Sequence, residues 1–415
     1  MTKQVTASSF ASLNAPLGFI CEFVIAILGG TVNDLSSQAA WESSLGMNRR
    51  TLLKCAGTLM GASTLSANLT FSQESSGGKR VNNSSFNTKM MGFMLPHEQF
   101  PVSKLVDYGV AAERAGFDLL ATSDHLQPWQ ANEGHSGQAW VTMAAVGQRT
   151  KHVWIGPTVT CPTFRYNPAV VAEAFASLNL LTPGRIFLGI GSGEAINEEA
   201  STGSWPKWDE RSERFIESAD LIRKLWAGQQ VSHKGKYYSV NAKLYDRPAT
   251  PIPLLMAANG PKAMRRAGQY ADGLITDGKT WKQYKSEFEA GARAAGKEAG
   301  RMPVLIEQYA IVGSKQDAEK AAELWRFGPK AIKKYYNVRD PEEIEREANS
   351  EIPLEQVYGD WPVGTDPNVH LKTVNDLFES GATIVNIHSG QPDLQPVIEF
   401  YGREVLPKVR MKAAA

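Results

Sequence analysis

Cysteine is scarce: Cys21, Cys55 and Cys161 are the only three in 415 residues. An odd count argues against a closed disulfide framework, and no C-x-x-C spacing offers a structural zinc site. An excess of charge of one sign is also missing. The 44 Lys and Arg residues nearly balance 43 Asp and Glu, and the charges are interspersed. This leaves no basic stripe for nucleic acid and no acidic solvating tail. Long apolar runs are absent as well. The stretch from Leu17 to Leu28 is broken by Glu22, and it falls short of the ~20 residues a membrane-spanning helix needs. No low-complexity linker divides residues 90–410, and with 42% hydrophobic content the chain reads as one large domain with an N-terminal extension.

The extension carries an address. Asn48-Arg49-Arg50-Thr51-Leu52-Leu53-Lys54 is a twin-arginine pattern, followed by a weakly apolar stretch from Cys55 to Leu65 and small residues through Ala67. It reads as a Tat signal, which makes the Tat export machinery a partner and places the protein in the cell envelope or outside it. Lys54 is a poor neighbour for lipid processing at Cys55. Because Met47 directly precedes the motif, residues 1–46 are expected to be a disordered upstream extension, 47–67 the signal and 68–89 a linker. Residues 73–88, rich in Ser, Gly and Asn, suit a flexible link. A chance Arg-Arg in a cytoplasmic enzyme is the alternative.

Beyond residue 90, short apolar runs alternate with amphipathic helical stretches, the pattern of βαβ units and a parallel sheet. Strands are expected at 90–95, 118–123, 153–160, 185–190, 253–258, 273–276, 304–312 and 383–388. Between them, Phe215, Ala219, Ile222 and Trp226 recur at three- and four-residue spacing and form one apolar stripe. Eight such repeats over 90–412 predict a (β/α)8 TIM barrel. Residues 231–250 and 330–366 exceed the repeat and are expected as insertions over the barrel mouth.

A barrel keeps its active site at the C-terminal ends of its strands. Ser123-Asp124-His125-Leu126-Gln127-Pro128-Trp129 follows the second strand. An Asp-His pair there can move a proton, and a Trp can wall a planar ligand. Glu194, Asn259, Lys279 and His388 end other strands and converge by topology. Helix capping is the alternative for Asp124, His125 and Glu194. His388 reads equally as a pocket wall or a core histidine, and the remaining histidines read as structural or exposed. The turn Gly189-Ile190-Gly191-Ser192-Gly193-Glu194 allows close backbone approach to a ligand, although no six-residue G-x-G-x-x-G is present. Pro157 marks a break in the third strand.

Four segments carry a resemblance: residues 123–129, Pro162-Thr-Phe-Arg-Tyr-Asn-Pro168, Arg185-Ile-Phe-Leu-Gly-Ile-Gly-Ser-Gly-Glu194-Ala-Ile-Asn-Glu198 and Ala257-Ala-Asn-Gly-Pro261. From about residue 90 to 410 the chain resembles the luciferase-like superfamily, specifically its deazaflavin-dependent glucose-6-phosphate dehydrogenases. It looks like the exported branch, which oxidises the hydroxyl of a hydroxymycolic acid of the cell envelope to a ketone. The resemblance implies coenzyme F420, a lipid or secondary alcohol substrate, and a homodimer. It makes His125 the base, sets Glu194 near N1 of the ring and packs Trp129 at the reacting centre. Cofactor contacts carried over are Asp124, Cys161 (threonine in the family), Ser192, Gly193, Asn197, Asn259 and Gly260. A non-proline cis peptide is implied near Thr158-Val159, and no metal is implied.

The substrate positions depart from the family. Lys279 matches one lysine of the phosphate clamp, whereas Tyr335 and Asp360 replace the other cations, which disfavours a sugar phosphate. Three classes stay open at this stage: the exported alcohol dehydrogenase, a sugar-phosphate dehydrogenase or flavin monooxygenase on the same barrel, and a cofactor- or lipid-binding protein without turnover.

Overall fold

The structure, a computed structural model, describes Phe86 and residues 88–414. The expected upstream extension, twin-arginine signal and nearly all of the linker lie outside the described residues. Among the described residues, no helix is long and apolar enough to cross a membrane.

Eight parallel strands form the barrel: β1 (Met90–Leu95), β2 (Leu119–Thr122), β3 (Trp154–Pro157), β4 (Leu188–Ile190), β7 (Leu254–Ala257), β8 (Gly273–Asp277), β9 (Val304–Tyr309) and β10 (Ile384–His388). They pair in the order β3-β2-β1-β10-β9-β8-β7-β4. Parallel bridges from Ile155 to Ile186 and from Thr160 to Ile190 join the two ends. All eight expected strands are present, several of them trimmed at the ends. β3 stops at Pro157, and the peptide bond joining Thr158 to Val159 is cis.

Side-chain alternation divides the core in two. Met90, Met94, Leu119, Ala121, Phe187, Leu255, Ile275, Leu305 and Ile384 fill the barrel interior, with Phe86 against Phe187 and Trp154. Their neighbours along the strands, such as Met91, Phe93, Leu120, Ile306 and Val385, face the helical ring. The helix Trp208–Trp226 shows how the ring is held: Phe215, Ala219, Ile222 and Leu225 are its buried stripe.

The two insertions part company. Residues 231–250 contain an antiparallel hairpin, β5 (Val231–Lys234) and β6 (Ser239–Ala242), and it does not cover the mouth. It follows a helix and precedes a strand, so it leaves from the N-terminal side of the barrel. There Thr250 bonds Asn179 and the Gly184 amide; the hairpin then runs up the flanking helix, whose Glu217 accepts from the amides of Tyr237 and Tyr238, and the Tyr238 hydroxyl donates to the Thr163 carbonyl in the loop after β3. The second insertion does roof the C-terminal side. It leaves after β9 and returns through a bridge from Ile311 to Val363. Between them, Trp325, Phe327, Tyr335, Ile344 and Val357 pack into one apolar cluster with Trp129 and Ile196 from other loops.

Candidate active site

The loop after β2 is anchored by its own carboxylate. Asp124 is buried, and its Oδ1 accepts from Arg165 Nη2 at 2.9 Å and from the Tyr166 hydroxyl at 3.2 Å. Its Oδ2 accepts from Thr160 Oγ1 at 2.5 Å. Besides the expected cofactor contact, the side chain has three internal partners and ties the loops after β2 and β3 together.

His125 sits on this anchor with both ring nitrogens engaged. Nε2 lies 3.3 Å from Glu98 Oε1 and Nδ1 lies 2.9 Å from Asn197 Nδ2. The Leu126 amide can only donate, and it reaches Asn197 Oδ1 at 2.8 Å. The amide nitrogen of Asn197 must then face the imidazole and Glu194 Oε2, 3.2 Å away. Nδ1 of His125 is consequently an acceptor, and the neutral ring carries its proton on Nε2, toward Glu98. Glu98 is buried and also accepts from Ser123 Oγ at 2.6 Å. One proton can thus be taken up by a carboxylate and imidazole acting as a unit.

The turn after β4 forms the opposite wall. Gly193 has φ +80, and a Cβ there would meet Glu198 Cγ at 2.6 Å and Cys161 Sγ at 2.7 Å, so only glycine fits. Cys161 bonds Thr163 Oγ1, and burial together with the Glu198 carboxylate keeps it a neutral thiol. Ser192 Oγ lies 2.6 Å from the hydroxyl of Tyr336, a residue of the roofing insertion. Gly260 opens the helix Pro261–Tyr270 without a side-chain cap, and a Cβ on it would meet nothing within 4 Å. Uncapped first-turn amides beside open space suit an anionic group. The helix start at Gly260 is therefore where an acidic group of a ligand would sit.

Glu198 beneath the turn yields a stability prediction. Burial raises its carboxyl to about 7, against the opposing effect of the Arg165 amide, which it accepts at 2.8 Å. The unfolded chain loses this proton in the ordinary carboxylate range. The native state therefore binds more protons between there and about pH 7, and stability falls as pH rises through that window. Urea unfolding at about pH 5.5 and about pH 8 is expected to show a loss some ~2 kcal/mol larger in the wild type than in Glu198→Gln. An equal loss in both would reject the assignment.

Other expected residues fall in different places. Trp129 is buried, stacked on Phe327 at 4.7 Å and tilted 5.9 Å from the His125 ring. Glu194 reaches the cluster through Asn197, and Asn259 stands exposed at the end of β7. Lys279 and Asp360 meet as an exposed ion pair at the rim. Tyr335 is corrected: it is fully buried in the apolar cluster, and its neighbour Tyr336 is the residue that reaches the turn. Glu98 escaped the sequence reading, although an ionisable residue just after β1 is the same signal that marked Asp124. Glu133 escaped it too. Burial, and then the Glu98 and Glu345 carboxylates, push it well above the usual carboxylate range.

The barrel is found in known proteins. Residues 87–383 match the family described as luciferase-like monooxygenase, and the chain belongs to this family. It is similar to the F420-dependent hydroxymycolic acid dehydrogenase of Mycobacterium tuberculosis, at 45% identity over 77% of this chain and 88% of that one. It is also similar to an F420-dependent glucose-6-phosphate dehydrogenase of Amycolatopsis mediterranei, at 41% identity over 77% of this chain and 98% of that one. Among solved structures, an F420-dependent secondary alcohol dehydrogenase in complex with an F420-acetone adduct aligns with a TM-score of 0.73 and 32% identity, over 78% of this chain and 99% of that one.

Proposed function

We propose that this protein is an F420-dependent alcohol dehydrogenase that is exported by the Tat route and oxidises a long-chain secondary alcohol of the hydroxymycolic acid type to a ketone. The observation that carries the reading is the Glu98–His125–Asn197 chain, joined through Asn197 to Glu194 at the end of the glycine turn, in a family whose similar members are F420-dependent. Coenzyme F420, when bound, supplies a deazaflavin ring able to take a hydride at C5. Ser192, Gly193, Asn259 and Gly260 would hold it. The proton of the alcohol hydroxyl passes to Nε2 of His125 as the proton that this nitrogen carries passes to the Glu98 carboxylate, which ends as the carboxylic acid. Asn197 keeps the imidazole in one tautomer and Glu194 at hydrogen-bond distance, while Trp129 and Phe327 wall the site with apolar surface.

The rim supports an alcohol over a sugar phosphate. Lys279 is already neutralised by Asp360. An exposed pair of this kind carries no net charge and offers a phosphate little net attraction. The aromatic cluster of Trp129, Trp325, Phe327 and Trp361 suits a hydrocarbon arm. The twin-arginine pattern agrees with an envelope substrate.

Absorbance and fluorescence titration with F420, FMN and NADP tests the cofactor. Selective F420 binding, followed by bleaching on addition of a secondary alcohol, is expected. Preference for FMN would overturn the dehydrogenase reading. Glucose 6-phosphate is expected to be a poor substrate that improves in Asp360→Arg. Good turnover of glucose 6-phosphate by the wild type would restore the sugar-phosphate reading.

A further inference from the structure

The residues expected to hold the cofactor end β3, β4 and β7, which leaves β1, β10 and β9 as the other half of the barrel mouth. His388 lies there with Glu307 and Tyr309. Ile384 and Asn386 precede it at two-residue spacing and face the interior, Ile384 within the interior cluster and Asn386 against Gly92 and Met94. The imidazole of His388 therefore points into the barrel as well. Its Nδ1 lies 2.8 Å from Glu307 Oε1. A carboxylate only accepts, so Nδ1 carries the proton and Nε2 is left as an acceptor.

That Nε2 is buried and has no hydrogen-bond partner, and His388 is only 1% exposed. Tyr309 stacks on the ring at 4.2 Å and Trp325 meets it edge-on at 4.5 Å. Trp325 Nε1, a donor, is buried and unpaired too. Gln99 Oε1 is a third such atom. The Gln99 side-chain nitrogen bonds the Gly390 carbonyl, and a Cβ on Gly390 would meet Trp325 Nε1 at 3.0 Å. Buried polar atoms are seldom left unpaired, and those that are call for a partner. A donor and two acceptors on neighbouring side chains match a hydroxyl group, which both donates and accepts.

Resting on the alcohol dehydrogenase reading, we infer that His388, Trp325 and Gln99 form a recognition point for a second hydroxyl of the substrate, apart from the one that is oxidised. Glu307 is a positioning residue that holds the His388 tautomer. The preferred substrate carries two oxygen functions, one at His125 and one at His388.

The test uses the F420-loaded protein with 2-alkanols and alkanediols of equal length, the second hydroxyl placed two to six carbons from the carbinol. One diol is expected to exceed its 2-alkanol in kcat/KM by about tenfold or more. His388→Phe and Trp325→Phe are each expected to erase that preference, lowering the diol's kcat/KM about tenfold more than the 2-alkanol's. Equal losses for both substrates, or no diol preference in the wild type, would overturn the inference. Ligand-detected NMR of the same pairs gives a readout that needs no turnover. Preferential diol binding that is lost in His388→Phe would support the recognition point even if F420 reduction failed. Equal binding of diol and 2-alkanol would overturn it whatever the activity.

Discussion

Replacing His125 by alanine is expected to lower kcat for alcohol oxidation by about 10²- to 10⁴-fold, the range of a positioned acid or base. Affinity for F420 should stay within about twofold, because the ring touches Glu98, Asn197 and Trp129 and not the glycine turn. Glu98→Gln keeps the size of the side chain and removes the carboxylate. Since the imidazole proton points at Glu98, that variant should lose rate comparably, and the double variant should be little slower than the slower single. Stopped-flow F420 reduction reads all three. Unchanged turnover in His125→Ala would eliminate the base, and independent, multiplicative losses would eliminate the idea of a pair.

Asp124→Ala should be the most destabilising single change at the site. Its carboxylate is buried against Arg165, whose side chain is also mostly buried. Removing one partner of a buried pair strands the other charge, at a cost of about 3–5 kcal/mol. The hydrogen bonds from Tyr166 and Thr160 are lost with it. Asp124→Asn, which still accepts, should lose less. Urea unfolding checks both, and a loss below about 1 kcal/mol for the alanine variant would mean that Arg165 finds another partner.

The outcomes follow the range of the interactions involved. The strands were legible because apolar runs at repeat spacing are a local signal, and the interior and exterior of Met90–Leu95 follow from alternation alone. The loop residues after β2 and β4 were legible because a barrel places strand ends together whatever the details of packing. The hairpin at residues 231–250 was misplaced, since composition does not say from which end of the barrel an insertion leaves. That Asp124 also anchors its loop was not legible, because Arg165, 41 positions away, turns back onto it only in the folded chain. Tyr335 and Tyr336 are adjacent and alike, and only packing decides which fills the apolar cluster and which reaches Ser192.

By itself the sequence determined the repeat, the barrel, the family resemblance and the strand ends that hold reactive groups. These depend on periodicity and on residues within a few positions of one another. The tertiary structure alone decided the proton positions on His125 and His388, the pairing of Glu98 with His125 and the neutralisation of Lys279 by Asp360. Each of these depends on hydrogen bonds or charges between residues 27 to 81 positions apart. Such contacts form only when different βα loops meet over one barrel mouth.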